Sequence, residues 1–427
     1  MANTIHAKDM APDGYQNTNA GVLPNEWVLR PLSEIVEVIT ETAGKRKIET
    51  VSISAGVGFV NQAEKFGKEL SGKQYEKYTV LYQGDFSYNK GNSNLYPQGC
   101  IYRLRDRSEA AVPNVFESFR IIDGNPDYYE QLFISGFLNK QLYSKINRGV
   151  RDDGLLNLRG TDFYSCEVPC PPLAEQERIA EILTQCDTVI ELYRKKVAEL
   201  YKLKKACMTK MFPEKGKTVP QIRFPGFVGS WMHRRLGEIS NFITKGATPT
   251  TYGFSWQNEG IPFFRNDCIR NNSFVYGDFS YISEKANEVL RRSEIHGDDI
   301  LISITGDIGK VGIVPKSIKR ANINQHIARI RINTDDPYFV YECLSSDVVQ
   351  KEYKKIKTGI SMPQLSLEQI RETDILIPSV DEQRKISEFF CELDKLIDRC
   401  EMELEEKKKQ KTILTKLLFT GIVRVNK

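Results

Sequence analysis

The feature that most limits what this chain can fold into is an internal repeat. Trp27-Val28-Leu29-Arg30-Pro31-Leu32-Ser33-Glu34-Ile35 recurs 204 residues later as Trp231-Met232-His233-Arg234-Arg235-Leu236-Gly237-Glu238-Ile239, and Ile39-Thr40 meets Ile243-Thr244 at the same spacing. A second anchor, Glu175-Gln176-Glu177-Arg178-Ile179, recurs 207 residues later as Glu382-Gln383-Arg384-Lys385-Ile386. At that spacing Pro171, Asp187, Ile190 and Phe212 meet Pro378, Asp394, Ile397 and Phe419. Two anchors in one order, at nearly equal offsets, mark one structural unit used twice. Between them the halves diverge. Tyr82-Gln83-Gly84-Asp85-Phe86 reads against Ile295-His296-Gly297-Asp298-Asp299, so that Gly84-Asp85 meets Gly297-Asp298, and the flanks differ. Such a pattern suits a shared scaffold whose variable surfaces read different things.

The second anchor opens a helix in each half. Pro171-Pro172 and Pro378 suit a helix entry, and Glu175, Asp381 and Glu382 favour its positive end. Apolar residues follow at Ile179, Ile182, Cys186, Val189, Tyr193, Val197, Leu200, Leu203, Cys207 and Met211, mostly three or four apart. The distal copy reads Ile386, Phe389, Leu393, Leu396, Cys400 and Leu404, turns polar from Glu405 to Lys411, and recovers at Ile413, Leu414, Leu417 and Leu418. This is the seam of a helix that packs on another. Gly216 and Gly421 follow the two ends, where termination is cheapest. At roughly 40 residues each helix spans about 60 Å. That overruns a domain of about 150 residues, so the two seams are expected to meet each other as an antiparallel coiled coil in a pseudo-two-fold molecule.

The intervening segments read as α+β. Val51-Ser52-Ile53-Ser54, Ile300–Ile304 and Ile327–Ile332 are short and β-branched, with Gly, Asn and Asp turns between them. Short helices are expected over 127–139 and 336–347. The layout is therefore a loose tail over 1–24, a first mixed α/β domain over 25–170 and a central helix over 171–213. A second domain over 214–377 and a distal helix with a C-terminal tail over 378–427 complete it.

Composition narrows the partners. Apolar residues at 40% and charged ones at 27% suit a globular protein. No run of about 18 apolar residues could span a bilayer, and Met1–Tyr15 lacks an apolar signal core, so a cytoplasmic protein is expected. Lys and Arg number 60 against 56 Asp and Glu, a net charge of +4 that permits polyanion binding without demanding it. Nine cysteines show no Cys-x-x-Cys spacing, and the histidines are scattered at His6, His233, His296 and His326. Reduced thiols and no metal site are expected.

The catalytic motifs that come near are each broken. Asn125-Pro126-Asp127-Tyr128 differs by one residue from the Asn-Pro-Pro-Tyr of amino-methyltransferases, and no glycine-rich cofactor loop accompanies it. It reads as a turn before a helix. Gly56-Val57-Gly58 lacks the third glycine of a dinucleotide loop. Gly67–Gln74 has phosphate-loop spacing, with Gln74 where a magnesium-binding hydroxyl belongs, and Gly306-Asp307-Ile308-Gly309-Lys310 has the wrong spacing. No Ser/His/Asp set or paired carboxylates stand out.

Polar segments suited to DNA are more abundant. The first domain offers the basic turn Lys45, Arg46, Lys47, the loop Tyr88, Asn89, Lys90, Asn92, Ser93, and the basic residues Arg148 and Arg151. The second offers Lys245, Thr248 and Thr250, then Arg265 and Asn266, Lys310, and Asn324, Gln325 and His326. The stretch Lys357, Thr358, Ser361, Met362 and Gln364 closes the set. Arg reads guanine, Asn and Gln read adenine, and Lys and Thr hold phosphate.

The ordered set of Trp-x-x-x-x-Leu-x-Glu-Ile entry, Pro-Pro-Leu-Ala-Glu-Gln-Glu-Arg-Ile helix start and Ile-Pro-Ser-Val-Asp-Glu-Gln-Arg-Lys-Ile distal copy resembles the specificity subunit of type I restriction–modification systems. Tyr78–Asn89 and Gly297–Gly306 resemble the interiors of that family's target-recognition domains. The likeness runs over nearly the whole chain beyond the first 20 or so residues. It implies that each domain reads one half of a bipartite double-stranded DNA site, with the helix pair as spacer. It also implies two modification (methyltransferase) subunits carrying S-adenosylmethionine, and restriction subunits using ATP and magnesium. The seam would be Ile179, Ile182, Val189, Tyr193, Leu200, Ile386, Phe389, Leu393, Leu396 and Leu404, and this chain would be a non-catalytic subunit. The competing readings are a stand-alone scaffold binding DNA or protein, and a DNA-modifying enzyme acting alone.

Overall fold

The computed structural model describes residues 11–19, 21–67, 72–91, 96–147, 155–270, 273–276, 279–359 and 363–425. The chain divides into two compact units, residues 1–193 with 403–427, and residues 194–402.

In the first unit, β1 (Val36–Val38), β2 (Phe86–Asn89), β3 (Cys100–Arg103) and β4 (Glu117–Ile121) form an antiparallel sheet ordered β1-β4-β2-β3. Its inner face carries Phe86, Tyr88 and Phe119, which pack with Tyr128, Phe133 and Phe163 into the main core. Helix α1 (Pro126–Ile134) covers that core. It starts there because Asn125 accepts the amides of Asp127 and Tyr128, and Pro126 fills the first turn, where no amide proton is needed. The Asn-Pro-Asp-Tyr segment is a helix cap, as its sequence suggests. A ladder of Val28–Pro31 with Glu167–Cys170 closes the unit.

The second unit repeats this frame. Strands β5 (Ser240–Lys245), β6 (Ile300–Ser303), β7 (Val311–Ile313) and β8 (Ile327–Ile332) take the same order, β5-β8-β6-β7. Helix α2 (Pro337–Ser345) is capped by Asp336, and Met232–Arg235 pairs with Asp374–Ile377. What fills the frame differs. The first unit inserts the hairpin of Val51–Ser54 with Gly58–Asn61 and the ladder of Thr79–Tyr82 with Glu109–Val112. The second inserts a mixed sheet of Ser280–Ile282, Ile261–Phe264, Ala321–Ile323 and Glu294–Ile295.

The frame corrects one pairing of the repeat. Asp85 accepts two bonds from Arg120, at 2.7 and 3.0 Å, and the amide of Tyr82 at 2.8 Å. The residue doing the same in the second unit is Asp299, with Arg331 at 2.7 and 2.6 Å and the amide of His296 at 2.8 Å. Asp85 therefore matches Asp299, not Asp298. Gly84 at φ +102° matches Asp298 at φ +71°, the only non-glycine with positive φ among the described residues. Aspartate tolerates that left-handed turn better than most side chains, which hides the match from a glycine-to-glycine alignment.

The long helices run Leu173–Met211 and Val380–Phe419. The start of the central helix gives Ile179, Ala180 and Leu183 to the first core, together with Leu418 and Phe419 from the end of the distal helix. The second core takes Met211 and Phe212 with Ile386 and Phe390. In each unit the two helix segments run antiparallel: Asp187 pairs with Lys411 and Glu175 with Arg424 in the first, Lys204 with Asp394 and Tyr201 with Glu401 in the second.

The inward stripe is a strict alternation of three and four, Ile179, Leu183, Cys186, Ile190, Tyr193, Val197, Leu200, Lys204, Cys207, Met211, with Ile179, Leu183, Ile190 and Met211 buried and the others half-buried. Val189 and Leu396, expected in the seam, are 39% and 38% exposed. Ile190 and Ile397 are buried instead, and Leu183 and Phe390 lie deeper than Ile182 and Phe389, which flank the cores. Adjacent apolar residues offered two registers, and the expected one ran through Leu203, because Lys204 is not apolar. Of the polar stretch Glu405–Lys411, Lys411 turns inward, donating to Asp187 and to Gln131.

The Glu-Gln of each anchor locks a helix entry to its domain. Gln176 accepts the amide of Asn125 and donates to the carbonyl of Pro171, and Gln383 does the same with Asp336 and Pro378. Glu175 accepts the Trp27 indole and Arg424, whereas Glu382 takes Arg223 at 2.6 Å on both oxygens. The expected loose tail is also corrected over its described part. Tyr15–Thr18 and Gly21–Pro24 form a hairpin, and the Tyr15 hydroxyl donates to the Gly421 carbonyl at 2.9 Å.

Candidate nucleic-acid interface

The strand order of the second unit brings the ends of β5 and β6 and the starts of β7 and β8 to one sheet edge. The loops leaving those strands carry most of the polar residues singled out from the sequence. Gly246 donates its amide to Ile327 at 3.1 Å, which sets Lys245 and Thr248 beside Asn324–His326. A side chain could not replace Gly246: a Cβ there would lie 2.0 Å from the carbonyl oxygen of Ile323 and 2.2 Å from that of Asn324. The Thr248 hydroxyl donates to Gln325, whose amide nitrogen is 3.1 Å from His326 Nε2, and Asn324 accepts the His326 amide at 3.2 Å.

Further bonds extend the edge. Ile304 donates to the His326 carbonyl at 2.9 Å and accepts from Leu365 at 3.0 Å, while Thr358 and Gln364 exchange backbone bonds at 3.0 and 2.8 Å. Gly306 donates to Pro363, so the loop after β6 joins the one that carries Lys357 and Gln364. Asn324 donates to the Phe264 carbonyl, placing Arg265 and Asn266 alongside. The Arg265 guanidinium lies 5.0 Å from the Trp256 ring centroid and donates to Ser280 at 2.8 Å, so it is oriented rather than free. Lys310 is ion-paired with Asp307, and Lys245, Thr250 and Lys357 are exposed. The edge thus presents Lys, Thr, Asn, Gln and His groups fixed by backbone and side-chain bonds, a donor and acceptor array suited to phosphate and base edges.

The first unit treats its candidates differently. Tyr88 is fully buried, stacked on Phe163 at 4.6 Å with the rings 4° from parallel, and its hydroxyl donates to the Gln98 carbonyl. It is a core residue, as alternation along β2 requires. Lys90 is held by Glu117 at 2.6 Å and only 17% exposed. Asn89 closes its own turn, accepting the Gly91 amide and donating to Ile53. Tyr88 is therefore corrected from a DNA contact to a core residue, while Asn89 and Lys90 are half-buried and held by these bonds. The turn Lys45–Lys47 hangs from a separate small core of Ala43, Ile48, Tyr78, Val80 and Ala111. There Arg46 pairs with Glu41 at 2.7 Å, and Lys45 and Lys47 are exposed. Asn92, Ser93, Arg148, Arg151, Ser361 and Met362 lie outside the described residues.

Sequence reasoning passed over the Asp85–Arg120 and Asp299–Arg331 clasps, although the Asp signal was within one residue of view. Each pins the turn before β2 or β6, and so sets where those strands begin. Among the described residues no group of three or more His, Cys, Asp or Glu gathers as metal ligands. Nor is any described helix long and apolar enough to cross a membrane. The nine cysteines are free.

One sheet built twice, with framing residues repeated and loop chemistry varied, defines a protein with tandem recognition domains. The sequence matches the type I restriction modification DNA specificity domain over residues 24–202 and again over 229–412. The chain belongs to that family and is a sequence-recognising, DNA-binding protein of type I restriction–modification. It is 25% identical to the putative type I restriction enzyme MjaX specificity subunit of Methanocaldococcus jannaschii, over 97% of both chains. It is 24% identical to the EcoBI specificity subunit of Escherichia coli, over 64% of this chain and 62% of that one. In fold it is similar to the type I restriction–modification S subunit from M. genitalium, with TM-score 0.58 at 18% identity, covering 96% of this chain and 99% of the other.

Proposed function

We propose that each unit reads one half of a bipartite DNA site and that the long helices serve as the spacer between the half-site readers. The observation that carries this reading is the repeated strand order with unlike loops: the frame is kept, while the groups at the sheet edge change. The central helix carries an unbroken stripe at spacings of three and four, as a stiff spacer on the scale of a DNA turn of about 34 Å needs. In this reading the chain is non-catalytic. Two modification subunits bring S-adenosylmethionine and methylate adenine, and restriction subunits supply ATP- and magnesium-dependent translocation and cleavage. The location is the cytoplasm, on DNA.

Support for a binding role without chemistry comes from the groups themselves. The edge sets Thr248, Asn324, Gln325 and His326, held by positioning bonds, beside the exposed Lys245 and Lys357. Discrimination of about 1–3 kcal/mol per base pair is what such contacts supply. The test is methylome sequencing of a host expressing the chain with its modification subunit. The expected pattern is one bipartite motif, and exchange of residues 25–170 for a relative's changes one half of it only. Methylation without sequence preference would sink the reading. Methylation by the chain alone would favour an enzyme, and salt-insensitive binding a protein scaffold.

A further inference from the structure

The two units place the same three positions against each other, with one difference of charge. In the first, Lys411 of the distal helix donates to Asp187 of the central helix at 2.6 Å and to the Gln131 side-chain carbonyl at 3.1 Å. Gln131 of α1 donates back to Asp187 at 2.8 Å. One cation, one anion and one neutral amide close a balanced triangle. In the second unit Lys204 of the central helix donates to both oxygens of Asp394 of the distal helix, at 2.7 and 2.9 Å. The position of Gln131 is taken by Glu342 of α2, six residues past the cap in both helices.

Glu342 is fully buried. Lys204 Nζ lies 3.1 Å from its Oε1, but neither oxygen has an aligned hydrogen bond, because the lysine is directed at Asp394. Two carboxyls thus face one ammonium in a buried place. An ionised Glu342 would leave a buried negative charge uncompensated, which is strongly destabilising, whereas the protonated acid matches Gln131 in charge and shape.

We propose that Glu342 is held as the neutral acid in the native fold, and that loss of its proton releases α2 from the two long-helix segments of its unit. The groups facing it are Lys204 from the central helix, Asp394 from the distal helix, with Asp398 a turn beyond, and Tyr338, Tyr341 and Cys343 on its own helix. The tyrosine hydroxyls and the thiol stay neutral, since burial pushes all three up. Burial is the largest influence on Glu342 and moves it up to about 7 from 4.5, with Lys204 opposing and Asp394 adding. Lys204 and Asp394, which face Glu342, are themselves 20% and 24% exposed along a groove of about 1930 Å³.

The sign is set by the raised folded value. The neutral acid stabilises the docked helix fully below about pH 4.5, and that stabilisation is lost as pH rises through about 7. Hydrogen-exchange mass spectrometry on the full chain, corrected for intrinsic exchange rates, reads this locally. Between pH 6 and 8 the protection of residues 337–345 should fall roughly tenfold, with residues 126–134 as the unchanging reference. Glu342→Gln should flatten the profile of 337–345, and Gln131→Glu should transfer the fall to 126–134. Identical profiles for the wild type and Glu342→Gln would overturn the proposal, as would a Gln131→Glu chain with no new pH dependence. A Glu342→Gln chain that cannot fold would also overturn it, because the amide imitates the state proposed to be native.

Discussion

Asp85 and Asp299 each hold a buried carboxylate beneath an arginine that reaches toward solvent, with Asp299 2% and Arg331 36% exposed. Removing the charge on one side leaves the guanidinium and the His296 amide poorly matched. Asp299→Asn should therefore destabilise the second unit by about 2 kcal/mol, read as a lower urea midpoint at unchanged slope. The edge residues separate by role. Lys245 is exposed at the end of β5, so Lys245→Ala should weaken binding to all DNA sequences alike and lower the salt slope by about 1. Gln325 is fixed by Thr248 and His326, and Gln325→Ala should instead relax one base position by about 1–3 kcal/mol. Fluorescence anisotropy with matched and mismatched duplexes at several salt concentrations distinguishes the two.

At the scale of elements, the long helices were legible in outline and misread in register. Their limits follow from Pro171, Pro378 and the glycines beyond, and their seam from spacings of three and four. Yet Ile182-Leu183 and Val189-Ile190 each offer two apolar neighbours, and only packing chooses. Lys204 in the stripe, and Asp187 and Asp394 beside it, then look like interruptions, although each pairs with a residue of the other long helix. Leu183→Ala should cost about 2–5 kcal/mol in unfolding free energy, while Val189→Ala should change it by less than about 0.5 kcal/mol. The recognition edge was half legible. Residue type pointed to Lys245, Gln325 and Gln364, but could not reveal that Tyr88 faces inward along β2 or that Lys90 is claimed by Glu117, 27 residues further along the chain. Those facts depend on strand pairing between distant segments.

For the molecule as a whole, the separation of reading from spacing carries its own prediction. Removing seven residues from each long helix, one heptad of the stripe, preserves the facing of every buried position. Such a chain, expressed with the modification subunit, should direct methylation to the same two half-sites at an altered gap, as methylome sequencing would show. Unchanged spacing would remove the helices from the spacer role. A different consequence follows from the Tyr15–Gly421 bond and from Arg424 reaching Glu26 at 2.8 Å. The first and last described stretches of chain thus meet in the core of the first unit, where Leu23 and Trp27 pack with Leu418 and Phe419. A permuted gene that joins residue 425 to residue 11 through a short linker, and opens between Pro213 and Trp231, should yield a protein with the same DNA motif and similar melting temperature. Which recognition domain a ribosome makes first would then be an accident of ancestry.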